Sequence, residues 1–135
     1  MDYKYIFDQY DKPLFFIGRE NGHDVLFYAR NKSSYFHAVL DKDDMDLIFS
    51  GKEIRAILKT LRSEGKLDVY NFKEDTYLPY KPYMVSEFPL QGRYIEYDYL
   101  SHRTFKQVQR EYFAKDKKWN YQTKRMSRRD YSQKL

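Results

Sequence analysis

The last 21 residues of the chain carry the side chains best suited to holding a polyanion. Residues 115–135 contain eight Lys or Arg and two Asp, with one Trp and two Tyr spaced among them. Cationic side chains neutralise phosphates and release counterions, and aromatic rings stack on exposed bases. The pattern therefore predicts a nucleic-acid-binding arm. The residues expected to make its contacts are Lys115, Lys117, Lys118, Trp119, Tyr121, Lys124, Arg125, Arg128 and Arg129.

The C-terminal quarter differs in charge from the rest of the chain. Residues 1–100 hold 14 Lys or Arg against 17 Asp or Glu, whereas residues 101–135 hold 11 against 3. Such asymmetry is typical of a protein that contacts a polyanion with one end. Two other interpretations stay open: the arm keeps the protein in solution, or it docks as a helix on the acidic surface of the body.

A run of acids at 41–46 is a second group with possible chemistry. Its sequence, Asp-Lys-Asp-Asp-Met-Asp, resembles part of a calcium-binding loop. It lacks an oxygen ligand at the fifth position, a glycine at the sixth and the closing glutamate. We therefore expect a solvated, acidic helix start, which the helix dipole favours, and no metal site.

The same acids, with Glu64 and Lys66, follow the acid…Glu-x-Lys order of restriction-type nucleases. Such a site would need its Glu-x-Lys segment on a strand, whereas here the segment is expected at the end of a helix. Hydrolysis of nucleic acid is therefore only the third hypothesis. We predict no catalytic residues and no cofactor.

Cysteine and histidine usage narrows the chemistry further. The chain has no Cys, which excludes disulfides, thiolate zinc sites, iron–sulfur clusters and cysteine nucleophiles. A glycine-rich phosphate loop and the Gly-x-Ser-x-Gly and His-Glu-x-x-His motifs are also missing from the sequence. His23, His37 and His102 are far apart in the sequence, so we expect structural or surface roles for them. His102 lies among basic residues just before the last helix, where it could itself contact a phosphate.

The elements that must position these residues are rich in aromatic side chains. With 15 Tyr, 10 Phe and 1 Trp, the core is expected to consist largely of rings. Two strands, at 13–18 and 24–30, flank the dipeptide Asn21-Gly22 and predict a β-hairpin. Residues 35–40 fit either a third strand or a helix, because a six-residue apolar run suits both.

The clearest helix is expected at 51–64. Ser50 and Glu53 match a capping box, and Gly65 predicts a left-handed stop. The buried face of this helix is predicted from its spacing to consist of Ile54, Ile57, Leu58 and Leu61.

The rest of the body is expected to continue the sheet and to end in a helix. Strands are predicted at 67–72 and 93–100, and prolines confine the aromatic stretch 77–88 to an edge strand or an ordered loop. A last helix is expected to begin near Thr104, whose Thr-x-x-Gln pattern resembles a capping box. Its buried face is predicted to carry Phe105, Val108 and Tyr112.

The stretch 43–69 resembles a winged helix in the order of its elements. A short acidic helix at 43–49 would precede the basic helix, and a wing would follow Gly65. The cations facing DNA would then be Arg55, Lys59 and Arg62. The alternative is that these cations form the solvated face of an ordinary amphipathic helix. The resemblance to a winged helix lies only in the order of the elements and identifies no family.

Together these patterns predict one α+β domain: an aromatic-rich antiparallel sheet, a central amphipathic helix and a C-terminal helix leading into the basic arm. The body spans 1–114 and the arm 115–135. The first functional hypothesis is a small, non-enzymatic accessory protein that binds DNA, RNA or a nucleoprotein. The alternative is a protein-directed inhibitor or regulator from a phage or mobile element, for example an anti-defence protein acting on a nuclease.

The expected location is the cytoplasm, without a membrane partner. No apolar run approaches the roughly 18–20 residues that cross a bilayer, and the N-terminus shows no signal-peptide pattern.

Overall fold

The computed structural model describes residues 1–115. These residues form an α+β fold whose main sheet has six antiparallel strands, each paired with its neighbour in the sequence. The strands of this sheet are β1 (Asp2–Tyr10), β2 (Lys12–Glu20), β3 (His23–Ala29), β4 (Ser34–Leu40), β5 (Leu67–Asn71) and β6 (Thr76–Pro79). The other elements are α1 (Lys42–Phe49), α2 (Ile54–Ser63), a 3-10 helix (Pro82–Glu87), the short strands β7 (Tyr97–Asp98) and β8 (Arg103–Thr104), and α3 (105–115).

The predicted fold class is confirmed, including the antiparallel sheet, the central helix and the C-terminal helix. The predicted hairpin is β2–β3, closed by Asn21 and Gly22 with φ of 52° and 80°. Two consecutive positive φ angles match the right-handed twist of the flanking strands, which explains why Asn-Gly stands there. The segment 35–40, which fitted two element types, is a strand, β4.

Strand β1 was not expected from the sequence. It pairs with β2 along the edge of the sheet, but the register shifts between Tyr3 and Tyr5 and again between Ile6 and Asp8. Each shift inserts a residue and reverses which side chains face the core, so β1 lacks the simple alternation that marks a strand.

The predicted capping box at Ser50 and Glu53 is wrong. Ser50 ends α1, where its hydroxyl donates to the Leu47 carbonyl at 2.6 Å. Gly51 then turns the chain with a φ of +88°. The Glu53 carboxylate accepts the backbone N–H of Gly92 at 2.9 Å instead of closing on its own helix. Helix α2 consequently begins at Ile54, three residues later than predicted.

The apolar face predicted for α2 is confirmed. Its four members are buried, with three of them fully inaccessible, and Gly65 follows the helix with a φ of +73°. These residues pack into the main core between the helices and one face of the sheet. The four are Ile54, Ile57, Leu58 and Leu61.

The strand predicted at 93–100 is mostly wrong. Only Tyr97 and Asp98 pair as a strand, with β8, and the carbonyls of Arg93 and Glu96 accept from the starts of α2 and α3 instead. Hydrogen bonds to helix N-termini satisfy this extended segment without a partner strand.

The start of α3 is as predicted. Gln107 N–H donates to the Thr104 hydroxyl at 3.3 Å, and the Gln107 side chain accepts from Thr104 N–H at 2.9 Å. Phe105 and Val108 are buried, and Tyr112 is partly buried against the same core.

Candidate nucleic-acid interface

Of the nine residues predicted to contact nucleic acid, Lys115 alone belongs to the described part of the chain. It is the last residue described in α3, and its side chain is 77% exposed with Nζ 3.7 Å from Glu111 Oε1. An exposed ion pair of this kind is weak, so Lys115 can exchange Glu111 for an anionic ligand. The other eight lie outside the described residues: Lys117, Lys118, Trp119, Tyr121, Lys124, Arg125, Arg128 and Arg129.

Helix α3 gives the predicted arm a fixed origin. The Tyr112 ring stacks on Phe49 of α1, with 4.4 Å between the ring centroids, and its hydroxyl donates to Asp46 Oδ1 at 2.6 Å. That hydrogen bond is the main reason why the pKa of Asp46 is lowered. Gln109 Nε2 donates to the Phe49 carbonyl at 2.7 Å. Helix α3 is thus fixed to α1 by stacking and by two hydrogen bonds.

The outer face of α3 carries cations that sequence reasoning did not assign to the site. Lys106 and Arg110 are exposed and one helical turn apart, and neither forms an ion pair within residues 1–115. We group Lys52 with these two cations, because the preceding Gly51 lies close to Gln109 Nε2 of α3. Lys52 is likewise exposed and without an ion pair in this part of the chain. We call Lys52, Lys106 and Arg110 the α3 cation surface.

The basic stripe of α2, which the winged-helix layout would turn toward DNA, is largely occupied within the body. Arg55 Nη1 lies 3.4 Å from the carbonyls of Val85 and Pro89, and the Arg62 guanidinium lies over the Tyr80 ring at 5.7 Å. These contacts hold the 3-10 helix segment to α2. Lys59 is the one cation of the predicted stripe for which the structure gives no contact within residues 1–115.

The acids and the Glu-x-Lys segment do meet in space, around an ammonium. Lys66 Nζ lies 2.7 Å from Asp41, 2.6 Å from Asp44 and 3.1 Å from Glu64. Lys66 is therefore the shared cation of three carboxylates. Within residues 1–115, no group of three or more His, Cys, Asp or Glu side chains is arranged to hold a metal ion.

The expectation of an acidic helix start is confirmed, and Asp41 and Asp43 are exposed, but Asp44 is buried. Asp41 caps α1: its Oδ1 accepts from Asp44 N–H and its own N–H donates to the Asp44 carboxylate, both at 2.9 Å. Asp44 is only 1% exposed and uses Lys66 as its counter-ion. The hydrogen bond from Lys66, and then that from the Asp44 backbone, lower the pKa of Asp41 to about 2.

The histidines occupy three different settings. His23 and His102 are exposed, and His102 adopts a positive φ of 57° in the turn before β8. His37 is buried, and its Nδ1 lies 2.8 Å from Asp68 Oδ1. Antiparallel pairing of β4 with β5 sets these two residues opposite each other.

No protein-family model, curated protein or solved structure matches the chain. Among the helices of residues 1–115, none is long and apolar enough to cross a membrane.

Proposed function

We propose that the protein is a small, non-enzymatic nucleic-acid-binding accessory protein that contacts phosphates with its basic segment 115–135. The observation that carries the proposal is the α3 cation surface, whose side chains are exposed and lack carboxylate partners in the described body. The same helix leads directly into the basic segment. Cations without ion pairs are free to neutralise phosphates, which is the dominant source of affinity for nucleic acid.

The division of charge supports this assignment. Several other cations of the body are paired: Arg30 with Glu87, Arg103 with Glu111, and Lys66 with its three carboxylates. A paired cation must lose its partner before it contacts a phosphate, so its net gain is small. The α3 cation surface needs no such exchange within residues 1–115.

The proposal is tested by measuring the affinity of the full chain for single-stranded and duplex DNA and RNA at several salt concentrations. Fluorescence anisotropy with 20-nucleotide probes is suitable. The logarithm of the association constant should fall with the logarithm of the salt concentration, with a slope of roughly −0.7 to −0.9 for each phosphate neutralised. Replacing both Arg128 and Arg129 by Ala should flatten the slope by up to about two units.

Trp119→Ala separates stacking from charge. It should weaken binding by about 1–3 kcal/mol for a stacked base, with little change in the salt slope. Lys32→Ala is the charge control for the arginine variant, because Lys32 is an exposed cation between β3 and β4. Absence of binding at low salt, or salt slopes that the arm variants leave unchanged, would refute the proposal.

A second candidate function is that of a protein-directed inhibitor or regulator. The observation that favours it is a second apolar cluster on the face of the sheet away from the helices. A pull-down from a cell lysate with and without nuclease treatment separates the two functions. A partner retained after nuclease treatment supports the second, and loss of all partners supports the first.

A further inference from the structure

The face of the main sheet away from the helices carries a row of rings on which no helix of residues 1–115 packs. Phe16 and Phe27 are buried among side chains of the sheet, whereas Tyr77 at the end of the row is exposed. Phe16 stacks on Phe27 with centroids 5.0 Å apart, Phe27 meets Tyr70 at 6.1 Å, and Tyr70 meets Tyr77 at 4.8 Å. The row thus crosses the sheet from β2 to β6. We call it, together with Tyr35, His37 and Phe72, the aromatic face. Its buried members form a cluster separate from the main core.

This face already holds one cation of the chain itself. The Lys12 ammonium lies 4.3 Å from the centroid of Phe72 and 5.7 Å from that of Tyr35. These three residues line a cleft of about 340 Å³. A cation over an aromatic ring is attracted by the negative charge of the ring face. The position of Lys12 therefore shows that the rings of this face attract an ammonium group.

Carboxylates surround the end of the aromatic face near β6. Asp75 Oδ1 accepts from the Tyr70 hydroxyl at 2.9 Å. Burial first, and then the negative charges of Glu20, Asp68 and Asp75, raise the pKa of Tyr77. The Tyr77 side chain is nevertheless half exposed. An incoming group at Tyr77 thus meets three negative charges and an accessible ring.

His37 supplies a hydrogen-bonding atom without a partner at the centre of this face. Its ring lies between Phe27 and Tyr77, at centroid distances of 4.9 and 5.1 Å. Nδ1 bonds to Asp68, whereas Nε2 is buried and has no partner within residues 1–115. If Asp68 accepts the Nδ1 proton, Nε2 is an acceptor. Buried acceptors are nearly always satisfied, so Nε2 is an acceptor suited to a hydrogen-bond donor from outside the described residues.

We propose that the aromatic face binds a Lys- or Arg-bearing segment of a partner protein. The cationic groups would lie over Tyr70 and Tyr77 within the field of Glu20, Asp68 and Asp75, and a donor of the segment would approach His37. The carboxylates disfavour a phosphate backbone, so the surface suits a basic polypeptide and not nucleic acid. This proposal does not rest on the nucleic-acid function, since the aromatic face and the α3 cation surface share no residue, and it would give the second candidate function its contact surface.

The test uses the full chain and two synthetic 12-residue peptides, one alternating Arg with Ser and the other alternating Asp with Ser. Binding is followed by isothermal titration or by chemical-shift changes at low salt, up to 1 mM peptide. The Arg–Ser peptide should bind and the Asp–Ser peptide should not. Tyr77→Ala and Asp75→Asn should each weaken Arg–Ser binding by about three- to ten-fold, as expected for loss of a cation–π contact or a nearby charge.

Both variants are suited to the test because their sites are exposed, and because Asn tolerates the positive φ of 52° at residue 75. Tyr83→Ala and Asp43→Asn are the matched controls, as an exposed Tyr on the 3-10 helix and an exposed acid on α1. Each should leave peptide binding unchanged.

Three outcomes would overturn the proposal. The first is equal binding of the Arg–Ser peptide to the wild type and to both test variants. The second is no binding at 1 mM peptide to the wild type or to the Arg128→Ala/Arg129→Ala variant. The third is binding to that tail variant alone, which would assign the face to the basic segment of this chain. The nucleic-acid function is judged separately, by the salt dependence of nucleic-acid affinity. It is still supported if that dependence is observed when peptide binding fails.

Discussion

The carboxylate of Asp98 accepts the backbone N–H of Ile6 at 2.9 Å, joining residues 92 positions apart. The same carboxylate accepts from Leu100 N–H at 3.1 Å and from the Ser101 hydroxyl at 2.6 Å, and Tyr99 N–H donates to the Ile6 carbonyl at 2.7 Å. Asp98 is 1% exposed. One buried side chain thus connects the outer strand of the sheet to the segment that leads into α3.

We expect Asp98→Ala to destabilise the protein by about 1–3 kcal/mol, because it leaves a buried backbone N–H without an acceptor. Asp98→Asn should cost less, since its amide oxygen can still accept from Ile6. Urea unfolding followed by circular dichroism measures both variants. Asp43→Ala, at an exposed acid of α1, is the control, and an Asp98→Ala variant as stable as that control would contradict the assigned role.

Leu58→Ala should lower the free energy of unfolding by about 2–5 kcal/mol. Leu58 is fully inaccessible in the main core, so truncation removes buried surface and leaves a cavity. Lys59→Ala, one position along the same helix, should change the free energy of unfolding by less than about 0.5 kcal/mol. Thermal and urea denaturation of the two variants provide the measurement. Equal losses would mean that α2 is not packed as described.

Asp41→Asn should change how stability depends on pH. The folded pKa of about 2 lies below the ordinary value of 3.8, so the charged form stabilises the fold above pH 4, and this contribution is lost as the pH falls from 3.8 toward 2. Asn keeps the N-cap but removes the charge facing Lys66. Urea midpoints of wild type and variant should differ at pH 5 and converge near pH 2. A constant difference across this range would exclude the ion pair as the cause.

Replacing Lys106 and Arg110 together by Ala should reduce the salt slope of nucleic-acid binding by up to about two units. The melting temperature should not change, because both side chains are exposed and unpaired in the described body. Anisotropy titrations at four salt concentrations measure the slope. Lys32→Ala again serves as the control. Identical slopes for the double variant and the wild type would show that Lys106 and Arg110 do not contact nucleic acid.

The parts of the fold that could be predicted are those where local chemistry and tertiary packing agree. The spacing of Leu58 with its apolar neighbours specifies a helix whatever surrounds it, and Asn21-Gly22 specifies a turn through its φ angles alone. Thr104 and Gln107 cap α3 through contacts three residues apart. Each of these signals lies within one turn or one short segment of chain.

The parts that could not be predicted depend on partners distant in sequence. Glu53 resembled a capping residue, but Gly92, 39 positions later, takes its carboxylate. The alternation in 93–100 resembled a strand, although its carbonyls serve helix N-termini instead. The pairing of His37 with Asp68 could not be predicted, because it depends on the β4–β5 register and the two residues are 31 positions apart.

The meander order of the main sheet has a consequence for folding kinetics. Every strand pairs with its neighbour in the sequence, and every such pairing except β4–β5, whose connection contains α1 and α2, closes only a short turn. The contact between Ile6 and Asp98 closes a much longer loop and is entropically costly to form early. We therefore expect Asp98→Ala to accelerate unfolding and to leave the refolding rate almost unchanged. Stopped-flow chevron plots would show this as a shift of the unfolding limb alone, and a slower refolding limb would instead place this contact in the transition state.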